Sequence, residues 1–289
     1  MKFNVYKDVK AFYRDTCELF MRDEAQNLIP LGNIIMGNKG EDKTEWRDPA
    51  NWFMAAVTGD TGIVLSAIMT PPYNLTLYAT DNIIDRDAIN CLIDGITAAG
   101  LDLPGVMTEK TLALSFAEMY SARKGITFSV QMSQRIYVLE KINTDIPLTG
   151  TLRAASEADM SFIPYWAEGF NDDCFAKGLK VKPDAAHYLH LINGKNLFVL
   201  EDRGTAVSMA MIHREMRTVC GVSEVYTPPY FRGKGYATSC VAGVSRIGLE
   251  RGFTKCALYT DLANPVSNSI YQKIGYRPIR DSAEIKFEQ

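Results

Sequence analysis

The sequence has no apolar run approaching the roughly 20 residues that a membrane span needs, no basic excess, no closely spaced cysteines and few histidines. Its opening stretch, MKFNVYKDVKAFYRDTCELF, carries charges every few residues and so lacks the apolar core of a signal peptide. A soluble, cytoplasmic protein with no membrane partner is the expectation. Lys and Arg number 31 against 34 Asp and Glu, for a net charge of −3, so composition gives no electrostatic reason to expect nucleic acid as a partner. The six cysteines stand at positions 17, 91, 174, 220, 240 and 256. That is too scattered for a zinc or redox motif, and they read as buried reduced thiols. His187, His190 and His213 fall at no metal or catalytic spacing, so no metal is expected.

What is present is an ordinary globular balance, 47% hydrophobic and 22% charged over 289 residues, enough for two cores. Helical spacing of Phe12, Cys17, Leu19 and Phe20 predicts a surface helix from Asp8 to about Gln26. The polar stretch 38–51 reads as a loop. Short apolar runs at 52–58, 62–70 and 73–80, separated by GD and PP, predict an antiparallel meander. Helices follow at 85–99 and 108–124, then two strands in ITFSVQMSQRIYVLEKI with MSQR as their turn. The irregular TDIPLTG, residues 144–150, marks the expected domain boundary, giving domains 1–146 and 147–289.

The order then starts again. Helices are predicted at 156–170 and 183–193, strands in NLFVLED, TAVSMAMIHRE and TVCGVSEVYT, a long helix in GYATSCVAGVSRIGLERG, a strand at 256–261, a helix at 264–275 and a terminal strand pair. Both halves are therefore expected in the α/β (α+β) class, each with a mixed, mainly antiparallel sheet flanked by helices.

Between the strand ending near Thr227 and the helix starting near Gly235 lies RGKGYA. Gly233 and Gly235 can take backbone angles closed to other residues, so the turn can aim successive N–H groups at one point. The helix N-terminus adds unsatisfied donors and a positive dipole end, which suits phosphate, and Arg232 and Lys234 add charge at the rim. Neither the dinucleotide fingerprint nor the P-loop pattern is matched, and an ordinary tight turn is the competing reading. Downstream, in NPVSNSIYQKIGY, Asn264, Asn268 and Tyr271 share one helical face, with Gly275 as the stop.

Together, RGKGYA and NPVSNSIYQKIGY in this order of elements resemble the Gcn5-related N-acetyltransferase (GNAT) superfamily, over roughly residues 148–289. The resemblance implies that backbone groups of Val225, Tyr226 and Thr227 pair with the pantetheine arm of acetyl-CoA. It implies that the turn from Arg232 through Gly233, Lys234, Gly235 and Tyr236 to Ala237 holds the pyrophosphate, that Asn264 approaches the pantetheine with Asn268 beside it, and that Tyr271 protonates the departing thiolate. The implied reaction is direct attack of a primary amine on the thioester in a ternary complex.

Glu224 is the candidate general base, against a reading as a paired or solvated strand carboxylate. Strand alternation groups it with Tyr226, opposite Val225 and Thr227. Asp172 and Asp173 are expected in a loop after the first helix of this half, where they either attract a cationic amine or cap the loop. In the first half, DNIIDRDAIN stands where the glycine turn should be, and its aspartates exclude a pyrophosphate site. That half is expected to be a degenerate GNAT-like domain. A non-catalytic acyl-CoA binder and a transferase for a longer acyl-CoA remain open as alternatives. A polyamine, aminoglycoside, amino acid or peptide N-terminus fits equally as acceptor, and a monomer is preferred.

Overall fold

The computed structural model describes residues 1–40, 47–174 and 184–288. The chain forms two compact units, Met1–Arg135 with Arg280–Gln289, and Ile136–Ile279. In the first, β1 (Lys2–Tyr6), α1 (Val9–Met21), α2 (Leu28–Lys39), β2 (Phe53–Gly59), β3 (Gly62–Met69), β4 (Leu75–Ala79), α3 (Arg86–Ala98), β5 (Gly105–Glu109) and α4 (Lys110–Lys124) lead into β6 (Thr127–Leu139). The second runs through β7 (Thr151–Ala154), α5 (Ile163–Cys174), α6 (Ala185–Asn193), β8 (Leu197–Asp202), β9 (Thr205–His213), β10 (Val219–Tyr226), α7 (Tyr236–Glu250), β11 (Lys255–Asp261) and α8 (Pro265–Ile274) into β12 (Arg277–Glu288). The same order of strands and helices thus occurs twice. Among the described residues, no helix is long and apolar enough to cross a membrane.

In the first unit β1 to β4 form the expected antiparallel meander with one added edge strand, and β4 runs parallel to β5. Their apolar face packs with Ile89, Leu92 and Ile96 of α3 and Phe116 and Tyr120 of α4. In the second unit β7, β8, β9 and β10 are antiparallel and β10 runs parallel to β11. One face packs on Cys240, Val241 and Val244 of α7 and Tyr271 and Ile274 of α8. The other packs on Ile163 and Ala167 of α5 and Tyr188, Leu191 and Ile192 of α6.

Several elements differ from the sequence expectation. MSQR is no turn, because β6 runs unbroken through it, and the terminal strand pair is one strand, β12. The polar residues that suggested turns meet each other instead: Arg135 grips Asp281 through two bonds of 2.7 and 3.0 Å. The division between compact units falls at 135/136 rather than near 146, and the end of β12 lies in the first unit, antiparallel to β5. Strand β1 and helix α2 were not foreseen, the helix because Pro30, Gly32 and Gly37 punctuate its sequence. Of the loop expected at 38–51, residues 41–46 lie outside the described residues.

The entrance to α5 is held by a buried charge. Asp159, 5% exposed in a 3-10 turn, accepts from the Ser156 backbone N–H at 2.7 Å and from both Arg153 terminal nitrogens at 2.7 and 2.8 Å. The guanidinium holds this carboxyl below its ordinary range, so its contribution is present above the unfolded carboxylate pKa and is lost as pH falls through the folded one. Asp159→Asn is expected to cost about 2 kcal/mol at neutral pH, since it leaves Arg153 and buried donors poorly matched. Urea denaturation should show that difference shrinking on acidification.

Candidate functional site

The ladder between β10 and β11 pairs Val219–Gly221 with Lys255–Ala257. Both strands run on past it, to Tyr226 and Asp261, so they open a wedge whose walls are strand backbone. On its other edge β10 carries a bulge against β9: Ser223 faces Met211, but Tyr226 faces Met209. The extra residue is accommodated by Glu224, which takes a φ of 47°, a left-handed conformation uncommon outside glycine and typical of bulges. The bulge re-aims the side chains that follow it. Glu224 and Tyr226 meet the α5/α6 side, at Tyr188 and Trp166, while Val225 packs into the α7/α8 core. Thr227 shares a hydrogen bond of 2.9 Å with Ser208, whose hydroxyl also donates to the Tyr226 carbonyl at 3.0 Å.

After Thr227 a 3-10 turn at Pro229–Phe231 leads into the glycines. Gly233 and Gly235 have φ of 78° and 81°, and a Cβ on either would meet nothing within 4 Å. Conformation, not crowding, therefore demands glycine here, and the space above the turn is open. Gly235 caps α7 without any side-chain bond to the helix. Ser239 N–H makes the first helical bond, to the Gly235 carbonyl. Among the described residues, the N–H groups of Gly233, Lys234, Gly235, Tyr236, Ala237 and Thr238 have no acceptor. Unfilled donors at a helix start, under open space, form an anion cradle.

The side chains around the cradle are placed less uniformly than its backbone. The Lys234 ammonium lies 4.9 Å from the Tyr230 ring and 5.8 Å from that of Phe231. Arg232 turns back instead, donating from Nε to the Thr227 carbonyl at 2.8 Å and from Nη2 to Asp173 at 2.5 Å. The Tyr236 hydroxyl is bonded to Asp202 at 2.5 Å, and Ala237 sits in the first turn of α7.

Across the wedge, α8 begins with Asn264 as its cap, accepting from Ser267 N–H at 3.0 Å, and Pro265 as its first residue. Asn268 is saturated within the protein: its Nδ2 donates to the carbonyls of Asp261 at 2.8 Å and Asn264 at 2.7 Å, while Oδ1 accepts from Tyr137 at 3.1 Å. It ties α8 to β11 and β6 rather than presenting a free polar group. Tyr271 stacks obliquely against Tyr137 and Tyr276, with centroids 6.2 and 5.9 Å away. Burial pushes its phenol well above the usual tyrosine range, with the nearby Cys174 thiol adding to the shift. It is a proton donor, not an acceptor, at neutral pH.

On the opposite face, Glu224 as a whole is only partly covered, but its Oε2 is shielded from solvent and has no hydrogen-bond partner, while Oε1 receives a long bond of 3.4 Å from Tyr188. Burial raises its pKa from 4.5 to about 7, which suits a base working near neutrality. Asp172 and Asp173 lie in the last turn of α5 and not in a loop, and residues 175–183 beyond them lie outside the described residues. Sequence reasoning missed Ser208, Asp202 and Tyr188, which hold Thr227, Tyr236 and Glu224. All three lie on elements distant in the chain, and no local pattern marks them. His213 is partly covered and held neutral, its pKa lowered to about 3, mainly by desolvation of the ring. In the first unit, Asp81 and Asn82 take left-handed angles at the position matching the glycine turn, and Arg22 holds Asp81 through two bonds of 2.9 Å.

Residues 161–276 match the acetyltransferase (GNAT) family model. No curated protein matches the chain. Among solved structures, it is similar to a GNAT-family acetyltransferase from Colwellia psychrerythraea, at 11% identity and a TM-score of 0.62, covering 100% of this chain and 99% of that one. A GCN5-related N-acetyltransferase from Sphaerobacter thermophilus aligns at 14% identity and TM-score 0.62 over 99% and 95% of the two chains. A tandem GNAT protein from the clavulanic acid biosynthesis pathway aligns at 10% identity and TM-score 0.57 over 99% and 98%. At such identities the structural likeness speaks for the fold, and it extends over both units.

Proposed function

We propose that the protein transfers an acetyl group from acetyl-CoA to a primary amine, a reading supported by the match of residues 161–276 to the GNAT acetyltransferase family model and by a fold similar to that of a tandem GNAT protein over both units. The observation that carries this reading is the run of unfilled N–H groups from Gly233 to Thr238, under open space at the mouth of the β10/β11 wedge. A pyrophosphate there satisfies donors that nothing else in the described protein satisfies. The pantetheine arm then runs along the edge of β10 that β11 leaves unpaired, at Val225–Thr227, beside the capping amide of Asn264.

The chemistry divides between the two faces of β10. Glu224 takes a proton from the acceptor ammonium and returns it to solvent, the neutral amine attacks the thioester carbonyl, a C–N bond forms, and the C–S bond breaks. The second proton that the nitrogen sheds as the amide forms passes through solvent to restore the Tyr271 phenol after it has protonated the thiolate. Tyr271, kept protonated by burial, supplies a proton to the leaving thiolate. Holding both substrates in one wedge contributes much of the rate. We assign no donor site to the first unit, where Asp81 and Asp85 occupy the matching segment.

Calorimetric titration with acetyl-CoA is expected to give about one site per chain; absence of binding would overturn the assignment. Tyr271→Phe is expected to lower kcat about 10- to 100-fold while leaving acetyl-CoA affinity unchanged. Steady-state rates from thiol release, read beside the titration, check that split.

A further inference from the structure

Arg232 stands at the first position of the anion-binding turn, yet its guanidinium is already engaged. Nε is anchored on the Thr227 carbonyl at 2.8 Å, and Cζ lies 5.7 Å from the Tyr226 ring centroid. Nη2 reaches out to the Asp173 carboxylate at 2.5 Å. Asp173 is in the last described turn of α5, Ile163–Cys174, and Arg232 is its ion-pair partner. Both side chains are close to half exposed, 45% and 48%, and such a pair is worth little against a better partner.

We propose that Asp173 competes with the pyrophosphate of the acyl donor for Arg232, so that donor binding displaces an internal carboxylate. The inference rests on the assignment of the Gly233–Gly235 turn as the pyrophosphate site. The anchored Nε lets the terminal nitrogens change partner while the side chain stays in place. A doubly charged, multiply accepting pyrophosphate is the stronger partner for a guanidinium. The first unit holds the corresponding turn by the same kind of clasp with the signs reversed, Asp81 on the turn and Arg22 just past α1. There the carboxylate sits on the turn itself, and no anion can take its place. Of these two clasps, the one in the second unit places the cation on the turn, where an anionic ligand can take the carboxylate's place.

The test is calorimetric titration of acetyl-CoA into the full-length wild type and Asp173→Asn, Asp173→Glu and Asp172→Asn variants. Asp173→Asn is expected to bind about three- to tenfold tighter, and Asp173→Glu, which keeps the charge, to stay near wild type. Asp172→Asn removes the same charge one residue away, from a side chain not bonded to Arg232, and is expected to change affinity by less than about twofold. Unchanged or weaker binding by Asp173→Asn overturns the competition and makes the pair a scaffold for the turn. Equal tightening by Asp172→Asn overturns it in favour of general electrostatics. Should the wild type bind no acetyl-CoA, the pyrophosphate assignment itself fails and the competition with it, whereas binding by wild type with no Asp173 effect overturns the competition alone. Thermal melts without ligand establish that the variants are folded.

Discussion

Replacing Gly235 by aspartate is expected to abolish acetyl-CoA binding while leaving the protein folded. Two effects act together. Gly235 has a φ of 81°, which a residue with a Cβ adopts at a cost of about 1 kcal/mol. The larger effect is electrostatic: a carboxylate at the start of α7 stands within a few ångströms of the proposed pyrophosphate, and at an effective dielectric near 20 each like-charge contact costs about 3 kcal/mol. The conformational cost falls on folding, since the unliganded turn already holds that angle, and the electrostatic effect alone corresponds to a loss of affinity of a hundredfold or more. Folding is spared because an added Cβ meets nothing within 4 Å and because a negative charge at a helix N-terminus is favourable to the helix. Gly235→Ala isolates the conformational part and is expected to lower stability by about 1 kcal/mol while leaving acetyl-CoA affinity nearly unchanged. Retained binding by Gly235→Asp, read by calorimetry beside a normal melting curve, would remove the turn from the donor site.

That prediction rests on a stretch whose meaning was local and therefore legible. A glycine with a left-handed angle before an amphipathic run, and Asn264-Pro265 ahead of another, mark helix starts through the chain's own backbone chemistry. The fold class and the repeated order of elements were readable for the same reason, since most of the helices and strands announce their buried face by their period, β1 and α2 excepted. What the sequence hid is non-local. Nothing in MSQR says that Arg135 will find Asp281 on β12, so a continuous strand looked like a hairpin. The loop residues expected in Asp172 and Asp173 proved to be helical, and Asp173 meets Arg232 from far along the chain. Asn268 matched a motif position by spacing, but its amide is consumed by Asp261, Asn264 and Tyr137. Spacing fixed its helical face and could not fix its partners.

Glu224 shows how a strand-level irregularity becomes chemistry. Alternation groups it with Tyr226, and both do face the α5/α6 side; alternation could not tell that a bulge at its own backbone, a φ of 47°, leaves the carboxylate against Tyr188 with one oxygen shielded and unpartnered. Its pKa is raised to about 7, so the folded protein holds this proton more tightly than the unfolded chain does. The sign follows directly. Below the ordinary glutamate pKa of 4.5 the group costs nothing, stability falls as pH rises from there to about 7, and above that the full penalty of a buried charge is present. Glu224→Gln is therefore expected to stabilise the protein by about 2 kcal/mol at pH 8 and to leave stability nearly unchanged at pH 5. The same substitution is expected to lower kcat/KM about 100- to 1000-fold and to erase the rise in rate through the apparent pKa. Urea melts at the two pH values and a pH–rate profile read both halves of the trade. A variant that gains stability at alkaline pH but keeps wild-type rates would make Glu224 a strained structural carboxylate, and the base would have to be sought among water and groups outside β10.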